Sequence, residues 1–457
     1  MKVAIVSQPT DDILPPYQNS IGYYSWSLAQ QLARRCDVTV YGRKEINEEI
    51  VRLDRSQPEL RTVASTTRER AFFRGRVKLG RLVQIWSPLS TSPRYFPDYA
   101  RSVAAELSRE QFDVIHVQHC TQFLPVIRAA NPAAKIVFHL HAEWFSQSNF
   151  DELRRRLKHA DFVFAVSDHI VAQTVKVFPE VRDRIRTIHC GINVHEFDRE
   201  KDYTASRGRN ERRILYCGAI SPHKGPHVLL DAFRIVAAQE PRVRLEFVGL
   251  MSNYPLEENF DLSDKESLRQ LAPFYANNWT VRLRSKIGMA APNAGTYQAY
   301  LMEKITPEIA DKVTFRGFIP RHEQIERFYT SDIFAFAPVW NEGCGIPPIE
   351  GMAAGLPVVG SRSGGLMDTV KDGETGFLVD KNDAPALADR ILKLVRDDEL
   401  RETMGRAARR RALEQFEWKW IAEKAETQYR ILTGLGKSNH ENAGYAAVAR
   451  ESVARGE

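Results

Sequence analysis

Short β-branched and apolar runs recur along the chain, each bounded by turn residues and followed by a stretch with apolar positions at helical spacing. This alternation predicts βαβ units on parallel sheets. In the first half the predicted strands are Val3–Ser7, Val38–Tyr41, Val114–Val117, Ile136–Leu140, Phe162–Val166 and Arg186–His189. Between the first two, Tyr23–Arg34 carries Leu28 and Leu32 on one helix face. In the second half the strands read Ile214–Cys217, Arg244–Val248, Val313–Gly317, Ile333–Ala337, Pro357–Ser361 and Gly376–Val379, with helices over His227–Ala238, Pro347–Ala354 and Pro385–Arg396. The pattern implies an α/β protein of two doubly wound, Rossmann-like domains, one over 1–200 and one over 212–412. The charge-dense stretch Asp198–Arg212 follows neither period and reads as their linker. In such sheets ligands sit outside the carboxyl ends of the strands, so the site is expected in an interdomain cleft.

Two segments, 51–97 and 250–311, are too long for ordinary connections and are expected to be structured insertions. Residues 413–435 are expected to form a C-terminal helix packing back on the N-terminal domain, and 436–457, small, polar and aperiodic, a disordered tail. The 457 residues, 43% hydrophobic and 27% charged, suffice for a full core in each domain. Five cysteines (Cys36, Cys120, Cys190, Cys217 and Cys344) are far apart and odd in number, which gives neither a disulfide framework nor a zinc cluster. Met1–Ser7 runs straight into a strand, and no stretch of about 18 apolar residues occurs. A cytoplasmic protein is therefore expected. A net charge of +6 is modest for this length and argues against bulk nucleic-acid binding.

The most informative stretch is Ala335–Gly365, which sets Glu342 and Glu350 around a glycine-rich turn that opens a helix. Pro347 and Pro348 suit the first helical positions, and Gly355 followed by Pro357 marks the stop. Backbone N–H groups of Gly343, Cys344, Gly345 and Ile346, at the positive end of the helix dipole, suit phosphate oxygens. Carboxylates placed there can accept hydrogen bonds from sugar or ribose hydroxyls. A capped structural helix with surface acids is the plainer alternative. A second signal is Cys217–Gly225, a strand-to-helix loop carrying Lys224, whose ammonium can neutralise a diphosphate.

The Glu342-x7-Glu350 unit with its GIPPIEGMAAGLPVV continuation, the Ser-Pro-x-Lys224-Gly225 loop, and Gly364-Gly365 before Asp372-Gly373-Glu374-Thr375-Gly376 resemble glycosyltransferase family 4. The resemblance covers most of the chain and implies the GT-B fold and a retaining, nucleotide-sugar-dependent enzyme. It implies that Glu350 holds the ribose, that Glu342 holds the donor sugar's hydroxyls, and that Lys224 and the Gly343–Ile346 amides stabilise the leaving diphosphate. Gly22 resembles the glycine that approaches the donor diphosphate and the acceptor. His141, in Phe138-His139-Leu140-His141, resembles the histidine beside the donor sugar, with His139 as the alternative. No metal and no cofactor are implied beyond the nucleoside-diphosphate sugar, which is the donor substrate.

Two positions depart from the family pattern. Ala219 stands where the family commonly has Arg, and Asp368 where the family's usual acid is Glu. The acceptor implied is a sugar, a lipid-linked molecule or a small molecule. The basic stretch Arg61–Trp86, with Arg68, Arg70, Arg74, Arg76, Lys78 and Arg81 among aromatic and aliphatic residues, suits peripheral contact with an anionic membrane; Gly75 and Gly80 weaken it as one helix. The alternatives are a GT-B sugar-nucleotide epimerase, a phosphorylase-like enzyme, or a catalytically silent GT-B subunit, the last suggested by Ala219.

Overall fold

The computed structural model describes residues 1–10, 12–14, 19–43, 57–80, 92–143, 150–251, 271, 274 and 297–435, with the side chains of 76–80 left aside. Most of the 250–311 insertion and the 436–457 tail therefore lie outside the described residues, as does part of the 51–97 insertion. The chain changes from one compact unit to a second between Gly191 and Ile192, and returns to the first between Glu417 and Trp418.

Unit 1 holds β1 (Lys2–Val6), β2 (Asp37–Arg43), β3 (Glu59–Val63), β4 (Val114–Gln118), β5 (Lys135–Leu140), β6 (Phe162–Ala165) and β7 (Ile185–Thr187). They form a parallel sheet in the order β3-β2-β1-β4-β5-β6-β7. Val3, Ala4, Ile5 and Val6 are wholly buried. A central parallel strand is covered on both faces, which explains why its sequence is continuously apolar instead of alternating. The helix Ser20–Leu32 begins at Asn19, whose side chain accepts the N–H of Gly22, and packs against the C-terminal helix Trp418–Leu432. Arg35 bonds to Glu423 at 2.6 Å beside that contact.

Unit 2 holds β8 (Arg212–Cys217), β9 (Val243–Val248), β10 (Val313–Phe315), β11 (Ile333–Phe336), β12 (Val358–Ser361) and β13 (Gly376–Val379). Its sheet is also parallel, in the order β10-β9-β8-β11-β12-β13. In both units the order reverses beside the first strand of the sheet, which leaves a crevice at the carboxyl ends there.

Three local expectations change. The supposed linker Asp198–Arg212 belongs to unit 2 and contains a helix, Tyr203–Gly208, capped by Asp202 and anchored where the Tyr203 hydroxyl donates to the Gly355 carbonyl at 2.8 Å. Strand β3 lies inside the stretch expected to be an insertion. Gly75 does not interrupt the helix Thr67–Gly80, which runs through it. No helix of the described residues is long and apolar enough to cross a membrane, and all five cysteines are buried and unbridged.

Candidate active site

In unit 2 two loops meet at the carboxyl ends of β8 and β11. The first carries a short 3-10 turn, Pro222–Lys224, and turns into the helix Pro226–Gln239 through Gly225, whose φ is +70°. A Cβ on Gly225 would stand 1.7 Å from the carbonyl oxygen of Ala337, so only glycine lets this loop press against the end of β11. The Val339 N–H donates to the His223 carbonyl at 3.0 Å and ties the two loops together. Lys224 is thereby placed with Nζ 5.4 Å from the ring centre of Trp340 and 5.8 Å from that of Phe336, within cation–π range.

The second loop leads to the helix Ile346–Ala353, capped by Gly345 at φ +82° with no side-chain hydrogen bond closing the end. Pro347 and Pro348 lack N–H groups, so the amides at this positive end are those of the loop up to Ile346. Gly343, Cys344 and Gly345 are buried, and Ile346 is half-buried. Glu342 is fixed through its backbone: its N–H donates to Ser363 Oγ at 3.1 Å and its carbonyl accepts from the Gly365 N–H at 2.7 Å. Its carboxylate, buried, accepts from Lys224 Nζ at 2.5 Å. The structure thus brings Lys224, Glu342 and the Gly343–Ile346 segment together.

Glu350 is buried one turn into the helix, and its Oε1 lies 2.7 Å from Arg321 Nη2. Burial pushes its carboxyl above the usual range; Arg321 opposes that shift and Glu196 adds to it. Burial also works against the Arg321 guanidinium, yet the carboxylates of Glu350 and Glu196 hold it above its ordinary value. Arg321, the first residue of the helix Arg321–Thr330, is a site residue that no sequence motif marks. At Ala219, where the family cation is missing, the backbone carbonyl accepts from the Tyr216 hydroxyl at 2.7 Å. Asp368 lies in the short helix Leu366–Thr369, half-buried, its carbonyl accepting from Arg411 at 2.7 Å.

Gly22 and His141 belong to unit 1. The Gly22 N–H is taken by Asn19 Oδ1 at 2.7 Å, and a Cβ on Gly22 would stand 2.1 Å from the Asp12 carbonyl oxygen. Close packing alone therefore demands glycine at this position. His141 follows β5, half-buried, with Nε2 2.6 Å from Gln118 Oε1 and its ring stacked on His139 at 4.6 Å between centres. His139 is fully buried; its Nδ1 lies 3.1 Å from His116 Nε2, and His116 Nδ1 lies 2.7 Å from the Tyr429 hydroxyl. Of the two histidines, His141 is the more accessible. Burial, with His119 and His116 adding to it, holds His141 well below the ordinary imidazole range, so the ring is neutral at pH 7. A neutral ring that donates from Nε2 to the Gln118 carbonyl oxygen keeps Nδ1 as an acceptor. Gln118 is a second residue that no sequence motif marks.

Two family models match the chain. One, described as Glycosyltransferase Family 4, takes residues 21–196, and the other, Glycosyl transferases group 1, takes residues 198–411. Spore coat protein SA of Bacillus subtilis is 27% identical over 345 residues, which cover 72% of this chain and 81% of that protein. The D-inositol 3-phosphate glycosyltransferase of a Nocardioides species is 28% identical over 277 residues, 59% of this chain and 54% of that protein. Among solved structures, HepE from Anabaena in complex with UDP and glucose superposes with a TM-score of 0.62 at 19% identity, covering 94% of this chain and 99% of that one.

Proposed function

The chain belongs to glycosyltransferase family 4, and we propose that it moves a sugar from a nucleoside diphosphate to an acceptor hydroxyl with retention of the anomeric configuration. It is a nucleotide-sugar glycosyltransferase with the GT-B fold. The observation that best supports the finer reading is the Lys224–Glu342 pair beside a helix start that Gly345 caps without a side-chain hydrogen bond, with Glu350 one turn inside. In this reading Lys224 passes from Glu342 to the diphosphate when the donor binds, because a phosphate oxygen offers it an equally strong charge-assisted partner. The released Glu342 carboxylate then accepts from a hydroxyl of the donor sugar.

Glu350 accepts from the ribose, and the Gly343–Ile346 amides donate to the phosphates. Gly22 and His141 are the residues of unit 1 that we assign to the donor, the first by close backbone approach and the second through its Nδ1 acceptor. The acceptor oxygen attacks on the face from which the diphosphate leaves; the anomeric C–O bond to the diphosphate breaks, and the departing oxygen takes the acceptor's proton. Catalysis rests on positioning and on stabilising the leaving group's charge. Lys224 supplies that charge, so activity is expected to survive exhaustive chelation, and a complete loss restored by Mg²⁺ would contradict the assignment.

The test is incubation with UDP-, GDP- and ADP-sugars while nucleoside diphosphate is measured. Slow release from one base class, accelerated by an acceptor, is expected. Isomerised donor without any release would point to an epimerase, and no binding of any donor to a silent subunit.

On the acceptor side we propose contact with an anionic membrane surface through the helix Thr67–Gly80. Phe73 faces inward, its ring 5.5 Å from Phe96, while Phe72, Arg68 and Arg74 of the same helix are exposed. The protein is expected to cosediment with phosphatidylglycerol vesicles in a salt-sensitive way and to be released when Arg74, Arg76, Lys78 and Arg81 are neutralised together. Equal sedimentation of parent and variant would favour a soluble acceptor.

A further inference from the structure

We propose that Arg321 is a positioning residue for the donor, a fixed guanidinium that keeps the buried Glu350 carboxylate ionised and turned for the ribose hydroxyls. This rests on the assignment of Glu350 to the ribose. The geometry is that of a clamp. Arg321 Nη2 bonds to Glu350 Oε1 at 2.7 Å, Nε bonds to Glu196 Oε2 at 2.9 Å, and Nη1 bonds to Gln324 Oε1 at 2.7 Å. Gln324 in turn donates to Cys217 Sγ at 2.8 Å, which fastens the first turn of this helix to the end of β8. All three guanidinium nitrogens are therefore held, and the cation lies over the Phe197 ring with its central carbon 5.8 Å from the ring centre.

An arginine used in this way does a task that lysine performs poorly, because its planar fork fixes direction as well as charge. A buried carboxyl without a cation takes up a proton, and a protonated carboxyl loses one of the two acceptor oxygens that a pair of vicinal hydroxyls needs. Glu196 makes the arrangement balanced: one cation lies between two acids, so that Arg321 is held in place even while Glu350 turns toward a ligand. With its nitrogens so occupied, Arg321 is a poor stand-in for the family arginine missing at Ala219, which would have to reach a phosphate.

The two roles separate by fragment. The probes are UDP, GDP and ADP, the 2′-deoxy form of whichever binds best, and inorganic pyrophosphate, each titrated calorimetrically into the full chain. For Arg321→Met we expect nucleoside-diphosphate affinity to fall about tenfold or more, the preference for ribose over deoxyribose to collapse toward unity, and pyrophosphate affinity to change less than about twofold. Arg321→Lys, which keeps a charge without the fork, is expected to fall between parent and Met variant, and it serves if the Met variant fails to fold.

The pH profile adds a readout that a scaffold role would not move. The groups facing Glu350 are Arg321, Glu196 and Cys217, whose thiol burial pushes up to about 12 and which stays protonated throughout. Between pH 8 and 6 the ligand's own terminal phosphate takes up a proton in parent and variant alike, so the readout is the difference: Arg321→Met should lose more nucleoside-diphosphate affinity over this range than the parent, and pyrophosphate should show no such excess loss. Equal losses for pyrophosphate and nucleoside diphosphate, or an unchanged ribose preference, would overturn the clamp and make Arg321 a phosphate ligand or a structural residue. If Glu350→Gln leaves ribose preference intact in the parent background, the assignment of Glu350 itself fails, whatever Arg321 does.

Discussion

The two sheets end in ionisable side chains, and they handle the burial of those groups in opposite ways. At the carboxyl end of β4 and β5 the groups are neutral. Burial lowers His116 to about 3 and His119 to about 4, and the same burial with neighbouring histidines takes His139 and His141 well below the ordinary range. At the carboxyl ends of β8 and β11 the charges are kept and paired, Lys224 with Glu342 and Arg321 with Glu350 and Glu196. A neutral imidazole is easily kept dry but offers only hydrogen bonds. A buried ion pair carries a desolvation penalty, yet it holds charges that a ligand can take over by exchanging partners. Under the proposed function the charges that unit 2 retains are the ones that serve the diphosphate.

The strongest way to break this contrast is to remove the charge that moves. Lys224→Ala is expected to lower turnover about a hundredfold or more, since each 1.36 kcal/mol of lost transition-state stabilisation is about tenfold and a diphosphate leaving group needs a cation. Steady-state kinetics decide the matter: a variant that keeps more than about half the parent's activity would remove Lys224 from the mechanism.

Next in size is the difference between the two glutamates. Glu342→Gln is expected to lower turnover about tenfold while leaving nucleoside-diphosphate affinity unchanged or tighter, because Lys224 no longer has to leave a carboxylate to reach a phosphate. Glu350→Gln is expected to weaken nucleoside diphosphate and intact donor alike, about tenfold, since a contact to the ribose is made in every bound state. Calorimetry with the nucleoside diphosphate, set beside kinetics on both variants, gives the comparison. The reverse pattern would show that the two acids carry each other's roles.

Much of this contrast is legible in the amino-acid sequence, though unevenly. β1, β4, β5 and β11 announce themselves as unbroken β-branched or aromatic runs because both faces of a central parallel strand are buried. β3, with the sequence ELRTV, mixes charge into an edge position and so blends into the apparent insertion around it. Tyr203–Gly208 gives no helical signal because its six residues, YTASRG, contain no apolar period; what makes them helical is the Asp202 cap and the seat of Tyr203 on Gly355. Glu342, Glu350 and Lys224 stand out through local glycine and proline context. That Lys224 rests on Glu342 does not, since the partners are 118 residues apart and only the order of β8 beside β11 joins them. Arg321 and Gln118 carry no local signal at all: each matters through a partner supplied by another strand or helix.

The smallest expected effect sharpens the comparison from the neutral side. A histidine buried uncharged has a folded pKa below its unfolded value of about 6.5. Its contribution to stability is fully present above that value and is lost as the pH falls toward the folded pKa, because the unfolded chain then binds a proton that the folded chain refuses. Between pH 6.5 and 5 most carboxylates are still ionised in both states, so this window isolates the histidines. Each one shifts the folding equilibrium up to about tenfold per pH unit there. Among the described residues, unit 1 holds His116, His119, His139 and His141 in this condition and unit 2 holds His223 and His227. Hydrogen exchange, corrected for its intrinsic pH dependence, should therefore show the amides of β4 and β5 losing protection faster on acidification than those of β11 and β12. His119→Asn should reduce the unit 1 slope by about one proton; asparagine tolerates the φ of +59° that His119 adopts, so the backbone is spared. Equal loss of protection in both sheets, or an unchanged slope in the variant, would mean that the four histidines do not titrate as a buried neutral group.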